Sequence, residues 1–195
     1  MYIIVGLGNP GEEYRFTRHN IGWLAVESFL HMYGFPDLVK SGSYNGLLSE
    51  GVFQKTEVGT LLPTTYMNNS GPAVLRYMKE RNGSAEKLIV VHDEIDLPFG
   101  TLRISVGRGG GGHNGVQSVI NSVGSSDVIR VRVGIAKTGL FGNMKRPAGD
   151  KLASFVLGTF SPREQKALPD IGTQVANAIA HIIEKGVASA MNTIN

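Results

Sequence analysis

Four short polar clusters, each attached to an apolar, strand-like run, carry side chains suited to chemistry: Asn9 in GLGNPG, Asn68 in TTYMNNSG, Asp93 in VVHDEID and Asn114 in GGGGHNG. A fifth, RFTRHN, supplies His19, flanked by Arg18 and Asn20 between a charged loop and a helix pattern. A neutral imidazole takes up a proton near pH 7. Asp93 ends the most apolar run of the chain, where an unpaired carboxylate is costly, and a histidine from a neighbouring loop is a natural partner for it. Such a carboxylate fixes the tautomer of the imidazole and stabilises the imidazolium, as it does in a serine triad. No serine completes a triad here and the chain has no cysteine, so the nucleophile is expected to be water, deprotonated by His19. Asn9, Asn68 and Asn114 each offer an NH₂ donor and a carbonyl acceptor, suited to holding a peptide backbone or a developing oxyanion. Taken singly, each is more often a turn or cap residue, and Asn68 and Asn69 compete for both jobs.

The other titratable groups are less telling. His92 points to the opposite sheet face from Asp93 if both lie in a strand, and is read as structural. His113 could touch substrate or cap the helix after it, while His31 and His181 lie on helix patterns. Asp93, Glu94 and Asp96 could bind Mg²⁺, but without a phosphate motif they make a weak metal signal, and no metal is expected. GLGNPG formally satisfies the dinucleotide fingerprint G-x-G-x-x-G. It is read as a decoy, because Pro10 removes a donor, Glu12 and Glu13 put negative charge where phosphate would lie, and the helix starts too late.

The elements that must position these residues alternate between strands and helices. Tyr2–Val5 reads as a buried strand. Ile21, Leu24, Ala25, Ser28, Phe29 and Met32 trace a helix stopped by Gly34-Phe35-Pro36. Residues 44–52 and 58–62 read as paired strands near the sheet edge. Asn69 to Pro72 opens a second helix that runs to about Arg81. Leu88–Val91 reads as the central strand. Residues 101–106 and 128–135 alternate as strands around a helix that begins just after Asn114. Residues 139–150 lack periodicity and read as a mobile loop, and Ile171 to Ile183 trace a long helix ending near Gly186.

A chain of 195 residues suffices for one compact unit with a proper core. No apolar run approaches the ~20 residues of a membrane span. Met1–Leu7 lacks a basic flank and reads as a first strand rather than a signal peptide. Cytoplasmic residence is the expectation, consistent with the lack of cysteine. The net charge of +3 is unevenly placed: residues 101–151 hold Arg103, Arg108, Arg130, Arg132, Lys137, Lys145, Arg146 and Lys151 against Asp127 and Asp150. These cations form either a phosphate-meeting patch or merely solvated strand edges and loop tips.

Taken in order, GLGNPG, RHN, YMNNSG, HDEIDLPFG and GGGGHNG resemble the bacterial peptidyl-tRNA hydrolase family over nearly the whole chain. The resemblance implies an α/β fold, a single domain over residues 1–195 with a twisted mixed β-sheet flanked by helices. It implies a monomeric enzyme that cleaves the ester between the peptide, or N-blocked aminoacyl group, and the tRNA ribose, returning tRNA to translation without metal or cofactor. The implied partner is the acceptor end of peptidyl-tRNA, including peptidyl-tRNA on stalled 50S subunits. Carried onto matching positions, His19 is the proton acceptor and Asp93 keeps it basic. Asn9 distinguishes N-blocked from free aminoacyl-tRNA. Asn68 and Asn114 hold substrate, with Met67 and Gly112 in the same motifs. Tyr14 and Tyr66 match aromatic positions associated with tRNA binding, in line with stacking on an unpaired base. Leu62 and Ser105 stand where relatives often carry lysine and Arg108 where glycine is usual. Arg108 is therefore expected to replace a missing phosphate-binding cation, beside Arg132, which matches the family better.

Overall fold

Period-two alternation in the apolar runs decides the layering. Ile4, Ile89 and Val91 pack on one sheet face while Ile3, Val5, Leu88 and Val90 pack on the other. Strands apolar on both sides need cover on both sides, which places them centrally. The computed structural model describes residues 1–138, 144–145, 147 and 149–195. Along the chain run β1 (Tyr2–Gly6), α1 (Ile21–Met32), β2 (Val39–Ser41), β3 (Gly46–Phe53), β4 (Thr56–Pro63), α2 (Ser70–Glu80), β5 (Leu88–Pro98) and β6 (Leu102–Ser105). There follow α3 (Asn114–Val123), β7 (Ile129–Thr138), β8 (Met144–Lys145), α4 (Asp150–Val156), α5 (Pro162–Lys185) and α6 (Val187–Ile194).

The sheet is mixed, in the order β2-β3-β4-β1-β5-β7-β6, with β8 beside β7. Strands β4, β1, β5 and β7 are parallel to one another, while β2, β3 and β6 pair antiparallel. Helices α1, α5 and α6 cover one face through Phe29, Val175, Ile179 and Ala190. On the other face α2 and α3 pack Val74, Tyr77, Val116 and Val119. The result is a single α/β domain with helices on both faces of a mixed sheet, as expected. Among the described residues no helix is long and apolar enough to cross a membrane.

Several boundaries differ from the sequence-based expectation. β5 runs on to Pro98 through an irregularity after Glu94, so Asp93 lies inside a strand rather than at its end, although it is the last buried residue there. Tyr44 precedes β3, and the sheet edge is β2, a three-residue strand too short to carry a period. α5 begins nine residues before Ile171, at a capping box formed by Ser161 and Glu164 with Pro162 at its first turn. Pro169 sits inside that helix. α4 and α6 were not anticipated. The expected mobile loop covers residues 139–143, 146 and 148, which lie outside the described residues; within it β8 pairs with β7, and α4 begins at Asp150.

Two backbone features aim the site. A Cβ on Gly22 would come within 2.4 Å of the Val91 carbonyl oxygen and 2.5 Å of the Leu7 carbonyl oxygen. Only glycine lets the start of α1 lie directly against the residue that follows β1 and against β5 at Val91, which brings the preceding turn over Asp93. Gly111 and Gly112 adopt φ of 61° and 83°, turning the chain into α3.

Candidate active site

Loops leaving the carboxyl ends of parallel strands meet in one crevice of an open α/β sheet. Here the loop after β1 brings Asn9, the loop after β4 brings Tyr66, Met67 and Asn68, β5 itself brings Asp93, and the start of α3 brings Asn114. Together with His19, Gly112 and His113 they line a cleft of about 450 Å³.

His19 stands on the 3₁₀ turn Arg18–Asn20. Its Nδ1 lies 2.7 Å from Asp93 Oδ1, and His113 Nε2 lies 2.8 Å from the same oxygen. His113 is also the N-cap of α3: its Nδ1 accepts from the Val116 N–H, so its ring proton sits on Nε2 and donates to Asp93. Asp93 thus accepts from two imidazoles, and with Nδ1–H donating, His19 is left with a free Nε2 lone pair. Burial works against the His19 imidazolium, but the charge and hydrogen bond of Asp93 outweigh it and the pKa of His19 is raised. Burial likewise works against the Asp93 carboxylate, yet His19 and His113 hold its pKa far below the usual carboxylate range.

Asn9 is locked in orientation. Its backbone N–H donates to Asn20 Oδ1, its carbonyl accepts from Asn20 Nδ2, and its own Oδ1 accepts from the Met67 N–H, each at 2.9 Å. The acceptor end of the amide is therefore occupied, and Nδ2 is the end without a partner among the described residues. Asn68 and Asn114 are exposed at the cleft and make no side-chain hydrogen bond among the described residues. Tyr66, 64% exposed, stands at the cleft beside buried Met67.

Other expected residues lie outside the lining. Tyr14 is on a neighbouring 3₁₀ turn, half-buried, and Arg108 is exposed on the glycine loop. Arg132 donates from Nε to Glu94 Oε2 at 2.8 Å, so its charge is already paired beside the cleft. The basic segment is not a uniform patch. Arg130 is buried and donates to the Gly109 carbonyl, holding the glycine loop, while Arg146 lies outside the described residues. Leu62 is wholly buried in the core, and Ser105 is buried as well. Sequence alternation assigns a face of the sheet, but not whether that face is covered.

Three features were missed. His113 was left between substrate contact and cap; it is the cap and also the second donor to Asp93. Asn20 joins the β1 loop to the His19 turn, and the signal was its place directly after His19. The third is α4, whose Leu152, Ala153 and Val156 form, with Leu157 directly after the helix, an apolar wall of the cleft. His92, read as structural, is buried, donates to the Asp93 carbonyl and packs its ring 4.8 Å from that of His113. Burial and the neighbouring His113 push its pKa well down.

His19, Asp93 and His113 place three ligand-type atoms within 4.8 Å of one another. A metal held there would have to displace both ring protons now donated to Asp93. His113 could release its proton only by shifting it to Nδ1 and giving up the cap of α3. The donor set fits proton sharing better than metal ligation.

A family model described as peptidyl-tRNA hydrolase matches residues 3–195. A peptidyl-tRNA hydrolase of Syntrophotalea carbinolica is 41% identical over 196 residues, covering 100% of this chain and 97% of that protein. One of Thermodesulfovibrio yellowstonii is 36% identical, covering 100% and 99%. The crystal structure of peptidyl-tRNA hydrolase from Acinetobacter baumannii superposes with a TM-score of 0.88 at 33% identity, covering 100% of this chain and 94% of that one. With matches that run the length of the chain in both sequence and fold, the chain belongs to the peptidyl-tRNA hydrolase family of carboxylic ester hydrolases.

Proposed function

We propose that this protein hydrolyses the ester between the C-terminal acyl group of an N-blocked peptide and the tRNA ribose, by attack of a water molecule that His19 deprotonates. Water oxygen bonds to the ester carbonyl carbon as its proton passes to His19 Nε2, and Asp93 balances the imidazolium. The tetrahedral oxyanion collapses, the carbon–ribose oxygen bond breaks, and the imidazolium returns its proton to the leaving ribose oxygen. The products are a peptide carboxylate and a tRNA with a free terminal hydroxyl.

The observation that carries this reading is the 2.7 Å bond from the His19 imidazole to a buried carboxylate at the cleft, which leaves Nε2 as the acceptor. Asn9 is the better oxyanion donor of the asparagines, because its Nδ2 is oriented before substrate arrives. Asn68 and Asn114, exposed and unpaired among the described residues, suit an extended acyl chain, and Tyr66 offers a ring on which a terminal base can stack. Arg108, Arg132 and Tyr14 then serve tRNA outside the cleft, Arg132 through a charge shared with Glu94. In this reading the enzyme works as a cytoplasmic monomer of one domain. It engages the acceptor end of peptidyl-tRNA, and peptidyl-tRNA on a stalled 50S subunit falls in the same substrate class.

The test is release of N-acetylated against unblocked aminoacyl-tRNA by purified protein, with a chelator present. Turnover of the blocked substrate alone is expected, and His19→Ala should bind it while releasing almost no product. Equal rates on both substrates would reject the assigned selectivity, and a fully active His19→Ala would reject the base.

A further inference from the structure

Directly before His19 lies a buried guanidinium that the proposed reaction does not use. The Arg18 side chain is 5% exposed. Its Nη1 donates to the carbonyls of Gly158 at 3.1 Å and Thr159 at 3.0 Å, and its Nη2 donates to Glu164 Oε2 at 2.9 Å. Its Cζ lies 4.6 Å from the centre of the Phe155 ring and 5.5 Å from that of Phe160. Backbone bonds run alongside, from Arg18 N–H to the Gly158 carbonyl and from Phe160 N–H to the Phe16 carbonyl.

One side chain therefore joins three pieces: the turn that presents His19, the end of α4 and the capped start of α5. α4 has seven residues and no side-chain cap at its N-terminus, too short to hold itself together in water. Its residues Leu152, Ala153 and Val156, with Leu157 directly after them, nevertheless form the apolar wall of the cleft. A charge buried this deeply is costly once its partners are withdrawn, so moving α4 away from the His19 turn is opposed by the guanidinium itself.

We infer that Arg18 is a positioning residue, a latch that seats α4 against the His19 turn and so sets the width of the cleft that receives the acyl group. The inference rests on the proposed reaction for its kinetic readout but not for its structural one.

The test uses Arg18→Lys, which keeps the charge but cannot reach both carbonyls and the carboxylate at once, and Glu164→Gln, which leaves the guanidinium in place and weakens the two bonds that share Oε2, from Arg18 and from the Ser161 N–H in the cap of α5. Hydrogen exchange is followed in residues 150–157 and in β5, together with kcat, KM and the pH profile on N-acetyl-aminoacyl-tRNA. In Arg18→Lys, α4 amides are expected to exchange about ten-fold faster with β5 unchanged, since the perturbation is a local opening. KM should rise about ten-fold with the acid limb of kcat unmoved, the signature of lost binding rather than lost chemistry. Glu164→Gln should shift both in the same direction by less, and it decides the matter if Arg18→Lys does not fold. Unchanged α4 exchange in the folded variants overturns the latch, and so does a fall in kcat with a displaced acid limb. A wild-type protein inert on the blocked substrate would instead sink the proposed reaction, while exchange still judges the latch.

Discussion

Asp93→Asn isolates charge from shape. The asparagine amide oxygen can occupy the position of Oδ1 and still accept from His19 at 2.7 Å and from His113 at 2.8 Å, so both imidazoles keep their tautomers. What is lost is the negative charge that faces the imidazolium formed as water is deprotonated. Asp93 is 3% exposed and the His19 side chain 13%, so solvent screens the pair little. Taking charge centres about 4 Å apart and an effective dielectric of about 20, the interaction is worth about 4 kcal/mol. At 1.36 kcal/mol per decade this corresponds to a fall in kcat of about 10³. The assay is steady-state hydrolysis of N-acetyl-aminoacyl-tRNA, with binding followed separately by filter retention. KM and binding should change little, because Asp93 meets the base and not the substrate. A variant that retains kcat within about five-fold, or that loses binding instead of turnover, would refute the electrostatic role of this carboxylate.

The remaining predictions address its neighbours. Asn9→Asp keeps the acceptor for the Met67 N–H but removes the Nδ2 donor, and kcat should fall by about 10² or more, the ~3 kcal/mol of one oxyanion donor; turnover within two-fold of wild type rejects that role. His113→Ala removes both the cap of α3 and one donor to Asp93, and should lower unfolding stability by about 1–3 kcal/mol in urea titrations, an unchanged midpoint counting against the dual role. Because the base must be unprotonated and its pKa is raised, the acid limb of kcat/KM for wild type should have its midpoint above 6.5. In Asp93→Asn the charge that favours the imidazolium is gone while burial still opposes it, and the limb should move to lower pH; a limb that stays in place assigns it to another group. The same raised pKa contributes stability that is complete below pH 6.5 and lost as pH rises through the folded-state value, which pH-dependent melting can follow.

Element types were legible wherever burial imposes a period. Ile3–Val5, Leu88–Val91 and the stripe of α1 could be read because each alternates or repeats against a continuous core. β2, α4 and α6 could not: they are short, and their places are set by what they pack on rather than by their own pattern. The strands leading to Asn9, Asn68 and Asp93, and the order of the motifs, were open to reading from residue types alone. The same holds for His19, whose position just before an amphipathic helix left it clear of the core.

The amino-acid sequence by itself determined the chemistry in store: an imidazole, a carboxylate on an apolar strand, three amides on strand-following loops, and no thiol to compete with water. Tertiary structure alone decided which of these meet. The close approach at Gly22 sets His19 over Asp93, the cap of α3 turns His113 onto the same oxygen, and Arg18 draws α4 across as the apolar wall. It also decided that Arg130 is buried, that Leu62 lies in the core and that Arg132 is paired with Glu94. The physical reason is that residue type and spacing specify what a side chain can do and which way it points along its own element. Its partner, its solvation and hence its protonation state depend on elements far away in the chain, which only packing brings together.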